Sequence, residues 1–287
     1  MTPSTYAHSI PGSSACGQAG LTLIELMIAM ALGLLLLFAI GTVYVTSTQT
    51  ARVQDDYARL QEAGRTALEM VGRGIRQAGY ADVFTDPRKT GFTGTALAAL
   101  NTTCPTAAPV SDVVTVQFDA SGAGEQDCQA VATTAGDFVQ QSYYVTPDAT
   151  TGIPSLHCRA LNTTPPTAPT LPAACPAGGS ALLENVEDLQ VLYGEDTNAD
   201  GNVDQYRATP SNAGNVLAVK VCVLVRSQNT GLAPGGQRFL TCNGALAEDT
   251  NTANDFVAAN TAPANDTRLR RAFVATFSLR NRIRTNP

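Results

Sequence analysis

The sequence has no tryptophan, two histidines (His8 and His157) and two lysines (Lys89 and Lys220) among its 287 residues. With so few imidazole groups, His-rich metal centres and catalytic triads with a histidine base are not expected. Charged residues make up 15%, against about 25% in an average soluble domain. The net charge of −6 gives no electrostatic reason to expect nucleic acid as a partner. The composition therefore does not suggest a cytosolic housekeeping enzyme or a protein whose main partner is nucleic acid.

One long apolar run, residues 21–45 (LTLIELMIAMALGLLLLFAIGTVYV), lies near the N-terminus. As a helix, its 25 residues would extend about 37 Å, enough to cross a hydrocarbon core of about 30 Å. Glu25 is the one charged residue in the run. A carboxylate near the bilayer centre costs about 2.5 kcal/mol or more. Glu25 therefore either reaches back to the lipid head groups or meets a cation of another subunit inside the membrane.

The sequence at the start of this run, GLTLIELM from Gly20 onward, resembles the processing site of type IV prepilins. The resemblance implies that a prepilin peptidase cuts after Gly20 and that Leu21 becomes the N-methylated first residue. It also implies that Glu25 pairs with the N-terminal amine of a neighbouring subunit during filament assembly. Residues 1–20 would then be the leader, and residues 21–45 would be the transmembrane and filament-core helix.

Residues 46–80 contain no proline, and apolar or small residues recur there in steps of three and four. This period predicts an amphipathic continuation of the same helix, with its charged residues, Asp56 among them, on the solvent-exposed face. The segments LQEAGRTALEM (60–70) and IRQAGY (75–80) resemble the corresponding part of PilW-type minor pilins. In those proteins a Gly-Arg pair precedes the helix end and an Ala-Gly-Tyr sequence closes it.

Residues 81–287 change to a period of two, which is typical of strands. The predicted strands are Asp112–Phe118, Phe138–Val145, Leu189–Tyr193, Val216–Arg226, Gln237–Cys242 and Arg271–Ile283. Stretches rich in Ala, Thr, Pro, Asn and Gly predict long surface loops at 91–111, 160–181 and 244–267. We therefore expect an α+β, pilin-like fold, in which the long N-terminal helix packs on an antiparallel sheet of a β-rich head. The segments VLYG (191–194) and SLRNR (278–282) also resemble PilW-family sequences.

The head contains six cysteines, since Cys16 falls in the proposed leader: Cys104, Cys128, Cys158, Cys175, Cys222 and Cys242. An even number spread through Pro- and Gly-rich loops predicts disulfides formed in an oxidising compartment. Several pairings are compatible with the sequence. We prefer nearest neighbours, each closing a loop of roughly 20 residues: Cys104–Cys128, Cys158–Cys175 and Cys222–Cys242.

The charges near the apolar run favour the opposite membrane orientation, with the head in the cytoplasm. The first basic residue of the chain is Arg52, so the positive-inside rule alone would keep the downstream side in the cytoplasm. We give the cysteines more weight, and expect a periplasmic head on a single-pass inner-membrane protein that later enters the filament at the cell surface.

Residues 196–204 (DTNADGNVD) match the first nine positions of an EF-hand calcium loop, whose alternate oxygen ligands converge on the ion. Gly201 would allow the sharp turn, and Arg207 stands where the bidentate Glu belongs. A weak Ca²⁺ site of about 10⁻⁴ to 10⁻³ M is therefore one interpretation. The alternative is a hairpin turn held by Asp-Gly and side-chain hydrogen bonds. The candidate ligands are the side chains of Asp196, Asn198, Asp200 and Asp204 and the backbone carbonyl of Asn202.

The resemblance to PilW implies a minor pilin that takes part in priming and assembly of a type IV pilus, at or near its tip, in adhesion and twitching motility. Its partners would be other minor pilins, the major pilin, the prepilin peptidase, the inner-membrane assembly platform and a tip adhesin. No cofactor other than the candidate Ca²⁺ is implied.

Three alternatives stay open at this point. A minor pseudopilin of a type II secretion system would share the leader and the helix. A membrane-tethered enzyme is disfavoured because the sequence shows no catalytic grouping. A calcium-dependent adhesin head on the same stalk is compatible with a minor pilin.

Overall fold

The computed structural model of the protein divides into two compact units, Met1–Ala51 and Arg52–Pro287. The leader residues 1–19 and Leu21, the new N-terminus predicted by the resemblance, lie outside the described residues. So do Cys175 and the end of the last predicted strand, 281–283. The structure describes residues 20, 22–80, 103–104, 111–120, 125–134, 137–163, 178–233, 239–242, 256–257 and 266–280.

A single helix, α1, runs without interruption over Leu23–Gln77, 55 residues in all. A glycine follows the end of the helix, as predicted. Gly79 has a φ of 76°, a backbone conformation that residues other than glycine adopt only with strain. The amide of Gly79 donates to the carbonyl of Gln117 at 2.9 Å, so the end of the helix is tied to the β-rich part of the head.

Twelve strands are described in the rest of the chain. Their bounds are β1 Thr103–Cys104, β2 Ser111–Asp112, β3 Val114–Asp119, β4 Phe138–Pro147, β5 Pro154–Thr163, β6 Ser180–Glu184, β7 Val186–Glu195, β8 Gln205–Arg207, β9 Val216–Arg226, β10 Phe239–Leu240, β11 Phe256–Val257 and β12 Arg270–Ser278.

The strands form two four-stranded antiparallel sheets, in the orders β12-β9-β7-β8 and β3-β4-β5-β6. Two strand pairs, β1-β2 and β10-β11, complete the described set. The predicted α+β fold, a long N-terminal helix followed by antiparallel strands, is confirmed, although the described strands form two larger sheets where one was expected. The Val-rich strand β9 is central, as its composition favours, and Val221 lies opposite both Ala275 and Val191.

The second half of α1 packs on the head through the stripe that the helical period predicts. Leu60, Ala67, Val71 and Ile75 are at most 2% exposed and share one core cluster with residues from both sheets. Glycines on this face let the strands come close. A Cβ atom at Gly64 would overlap the ring of Phe273, and one at Gly72 would overlap the ring of Phe277.

Some local predictions were wrong. The loops expected at 91–111, 160–181 and 244–267 contain residues of β1, β2, β5, β6 and β11. Strand β5 has four consecutive buried residues, Ser155–Cys158, so the alternation that marks a half-exposed strand is absent there. Asp56, assigned to the exposed face of the helix, is 3% exposed because Asn229 binds its carboxylate.

The disulfide pairing is partly corrected. Cys222 pairs with Cys242, as predicted, but Cys128 pairs with Cys158. The predicted pairs Cys104–Cys128 and Cys158–Cys175 are therefore wrong, and Cys104 is itself disulfide-bonded. The residues nearest in sequence were not the nearest in space, because Cys158 lies in the middle of β5 and pairs with Cys128, 30 residues before it.

Candidate assembly segment and cation loop

The first turn of α1 is closed by a reciprocal hydrogen-bonded pair, Thr22 and Glu25. The Thr22 amide and hydroxyl donate to Oε2 of Glu25 at 3.0 and 2.9 Å, and the Glu25 amide donates to the Thr22 hydroxyl at 3.3 Å. This arrangement is a capping box, which satisfies amide groups that an α-helix leaves unpaired at its start. The Thr-x-x-Glu spacing carries the signal for it, although the sequence analysis did not use that spacing.

The apolar segment that follows is open to its surroundings along its whole length. Leu37 is 67% exposed and Phe38 is 76% exposed, values that a core helix would not have. Within the described part of the chain, α1 is the one helix with the length and apolar composition needed to cross a membrane. Glu25 is the only charge on its apolar stretch, and it lies in the first turn.

The predicted processing residues lie just before this turn. Gly20 is exposed and Glu25 is exposed, whereas Leu21 is outside the described residues. Cleavage after Gly20, methylation of Leu21 and the assembly role of Glu25 remain predictions.

The predicted cation ligands share one loop, residues 196–204, between β7 and β8. Gly201 has the positive φ, 90°, that the sharp turn requires, and its amide donates to Oδ2 of Asp196 at 2.8 Å. The side-chain amide of Asn198 lies 3.2 Å from Oδ1 of Asp204 and 3.4 Å from Oδ2 of Asp200. Among the described residues, no three His, Cys, Asp or Glu side chains are grouped as a metal centre.

The carboxylates of this loop differ in their surroundings. Asp204 is exposed, and hydrogen bonds from the Thr197 hydroxyl and amide hold the pKa of its carboxyl below the ordinary value. Asp196 is 4% exposed, and its Oδ1 has no hydrogen-bond partner. The loop thus combines exposed, well-bonded acids with one buried acid whose second oxygen is unpaired.

Two acids, the buried Asp112 and the half-buried Asp188, were absent from the sequence predictions and join β2 to β7. Oδ2 of Asp112 accepts the Val191 amide at 2.8 Å, and Oδ1 of Asp188 accepts the Ser111 hydroxyl at 2.7 Å. Burial raises the pKa of Asp112 to about 6, and burial also raises the pKa of Asp188. The two acids are 76 residues apart in sequence, so no local motif could have indicated that they meet.

Comparisons with known proteins bear on the two ends of the chain. Residues 16–41 match the family model of the prokaryotic N-terminal methylation motif, and residues 142–281 match that of type IV pilus-assembly protein W, PilW. A type IV-like pilin from Thermus thermophilus aligns over 79% of this chain and 100% of its own, with 19% identity and a TM-score of 0.43. No curated protein matches the sequence.

The methylation motif covers the apolar start of α1, and the PilW match covers strands from both four-stranded sheets. The motif and the apolar helix fit an inner-membrane-anchored pilin. The predicted resemblance to PilW-type pilins is confirmed, because the chain carries a PilW domain over residues 142–281 and an N-terminal methylation motif over residues 16–41.

Proposed function

We propose that the protein is a minor pilin that takes part in priming and assembly of a type IV pilus, at or near the tip, and thereby in adhesion and twitching motility. The observation that carries the proposal is the presence of a PilW match over 142–281 and a methylation motif over 16–41 in one chain. The PilW match also favours a pilus over a type II secretion system.

The assembly step depends on one charge in an apolar segment. Prepilin peptidase hydrolyses the bond between Gly20 and Leu21, and the freed amino group of Leu21 is then methylated by transfer from a methyl donor, leaving a methylated ammonium. Glu25 of an adjacent subunit neutralises that ammonium as the helices leave the bilayer, because an unpaired charge in hydrocarbon is costly. The capping contacts from Thr22 use Oε2 of Glu25, and its Oε1 accepts no hydrogen bond from the described residues. The carboxylate can therefore keep its cap and accept a second donor.

The cellular location of the subunit is inferred from its apolar helix and its disulfides. The apolar helix anchors the subunit in the inner membrane, and the head lies in the periplasm before the subunit enters the filament. Disulfides in the head support this side of the membrane, since such bonds persist in oxidising compartments. The partners are other minor pilins, the major pilin, the prepilin peptidase, the assembly platform and a tip adhesin.

The test replaces the acid while leaving the anchor intact. We expect Glu25→Ala to insert into the membrane in normal amounts and to lower surface piliation at least tenfold, measured by immunoblots of membranes and sheared pili. Glu62→Ala, which removes an exposed acid further along the same helix, is the matched control and should assemble normally. Normal piliation by Glu25→Ala would overturn the proposed role of this residue.

Two further measurements test the N-terminal processing and the assignment to a pilus. Mass spectrometry of the native protein should find an N-methylated Leu21 as the first residue, and an intact Met1 would contradict processing. Deletion of the gene should abolish twitching and leave type II secretion unchanged. The opposite pattern would identify a pseudopilin.

A further inference from the structure

The 196–204 loop is fixed to the sheet at both of its ends. The amide of Asp196 donates to the carbonyl of Asn215 at 3.0 Å, and the amide of Asp204 donates to the carbonyl of Glu195 at 2.8 Å. The ends of the loop are therefore held by backbone bonds to β7 and to the short 3₁₀ helix Ala213–Asn215.

The loop concentrates negative charge without a protein cation. Asp196, Asp200 and Asp204 lie within nine residues. Among the described residues, no lysine, arginine or histidine forms an ion pair with any of the three. The adjacent Glu195 is fully buried, and its Oε2 also has no hydrogen-bond partner. Such a charge density is unfavourable unless a positive group compensates for it.

The decisive atom is Oδ1 of Asp196. The side chain is 4% exposed, so water has little access to it, and this oxygen accepts no hydrogen bond from the described residues. Its partner oxygen, Oδ2, accepts the amide of Gly201 from across the turn at 2.8 Å. Oδ2 of this carboxylate thus faces the turn at Gly201, while Oδ1 lacks a hydrogen-bond donor among the described residues. Leaving a buried carboxylate oxygen unpaired costs free energy that a bound cation would recover.

We propose that the 196–204 loop binds a hard divalent cation, Ca²⁺, with Oδ1 of Asp196 as its buried ligand. The remaining donors are the side-chain oxygens of Asn198, Asp200 and Asp204 and the backbone carbonyl of Asn202. All are oxygen atoms, which suit Ca²⁺ and do not suit metals that prefer nitrogen or sulfur. The Asn198 amide nitrogen now lies between the carboxylates of Asp200 and Asp204, the place where a cation would be their positive neighbour.

Affinity is limited by the hydrogen bonds that binding must replace. Asp204 gives up or shares the amide and hydroxyl of Thr197, each 2.7 Å from its Oδ2. Arg207 stands where an EF-hand has a bidentate Glu, so the loop itself offers no bidentate twelfth ligand. The site is therefore expected in the range of about 10⁻⁴ to 10⁻³ M, as in extracellular calcium modules.

The test measures Ca²⁺ binding to the full-length protein in detergent by calorimetry and by the midpoint of thermal unfolding. The wild type should bind one Ca²⁺ per chain, and 10 mM CaCl₂ (roughly 10 or more times the expected Kd) should raise the midpoint. An equal concentration of MgCl₂ should have a clearly smaller effect, because Mg²⁺ demands a stricter geometry and gives up water reluctantly. Equal shifts with Mg²⁺ and Ca²⁺ would overturn the calcium assignment.

Three variants make the result specific to Asp196. Asp196→Asn keeps the size of the side chain and should raise the Kd at least tenfold, while the midpoint without Ca²⁺ is unchanged or higher. Asp200→Asn, at an exposed position, should weaken binding without affecting the fold, and covers the case in which Asp196→Asn unfolds. Asp148→Asn is the matched control, because Asp148 makes a similar turn with Thr150 and Thr151 and should leave binding intact. No binding by the wild type, or wild-type affinity in both loop variants, would overturn the proposal.

Discussion

The side-chain amide nitrogen of Asn229 lies 3.0 and 3.1 Å from the two carboxylate oxygens of Asp56, a residue 173 positions earlier in the chain. Asp56 belongs to the second half of α1, and Asn229 follows the central strand β9. The acid is 3% exposed, so this contact replaces water that the carboxylate would otherwise bind. The pair is thus a hydrogen-bonded contact between the helix and the strand-rich part of the head.

Removing the carboxylate of Asp56 should abolish this contact and lower the stability of the protein. We expect Asp56→Ala to lower the free energy of unfolding of the full-length protein by about 1–3 kcal/mol, because the Asn229 amide is left without its acceptor. Denaturant unfolding followed by circular dichroism measures the change. The control is Asp55→Ala: Asp55 is mostly exposed and pairs with Arg59 on the surface, so its loss should cost about 0.5 kcal/mol or less.

The contribution of the same contact can be tested by changing Asn229. Asn229→Ala should destabilise the protein, and the double variant Asp56→Ala with Asn229→Ala should lose less than the sum of the two single changes. Strict additivity would show that the two side chains do not stabilise each other.

The close approach of α1 to β12 should depend on the absence of a side chain at Gly72. A Cβ there would overlap the ring of Phe277, so Gly72→Val must push the helix or the ring away. Overpacking of this kind costs about 1–3 kcal/mol, measured as a lower thermal midpoint and free energy of unfolding. Adding Phe277→Ala to Gly72→Val should restore part of the loss, because it opens space for the valine. If the second change makes the protein still less stable, by the full cost of Phe277→Ala alone, the steric explanation is wrong.

The disulfide pattern gives a direct chemical prediction. Peptide mapping of the non-reduced protein should recover Cys128 linked to Cys158 and Cys222 linked to Cys242. Replacing Cys222 and Cys242 together by serine should cost about 3 kcal/mol, since their bond closes a 20-residue interval of the unfolded chain. A peptide that links Cys104 to Cys128 would contradict the structure.

Where one strong period governed a segment, the sequence predicted the structure. Helix α1 and strand β9 were both indicated by patterns that extend over many residues, and β9 has the predicted bounds. Strand β5 was missed although Leu156, Cys158 and Ala160 alternate with polar residues in the sequence. The polar positions Ser155 and His157 are buried as well, which that alternation does not indicate. The predicted loop 160–181 overlaps only the end of this strand, residues 160–163.

Pairwise contacts were harder to predict than elements. Asp56 follows Val53 by three residues and precedes Leu60 by four, which places it on the buried stripe; its charge led to the opposite assignment. The helical period was correct there, and the residue type was misleading. The Cys128–Cys158 bond and the meeting of Asp112 with Asp188 depend on how strands distant in sequence align. No local spacing encodes those distances.

The buried acid Asp112 should make the stability of the head depend on pH. Its pKa is raised by burial to about 6, above the ordinary value of 3.8. An acid of this kind binds its proton more tightly in the folded than in the unfolded chain. The protonated Asp112 therefore contributes its full stabilisation below about pH 4, and this contribution is lost as the pH rises through 6.

Lowering the pH from 7 to 5 should consequently raise the free energy of unfolding by about 1 kcal/mol through Asp112 alone. Asp112→Asn keeps an acceptor for the Val191 amide and cannot ionise, so its thermal midpoint should rise less than that of the wild type over this range. Ionisable groups that do not interact with Asp112 cancel in this comparison, whereas Asp188 lies close enough to feel its charge. Asp148→Asn is the control, because hydrogen bonds from the amides of Thr151 and Thr150 lower the pKa of Asp148 and move its titration below this window. If Asp112→Asn and the wild type show the same rise between pH 7 and 5, the proton bound on folding is held by another group.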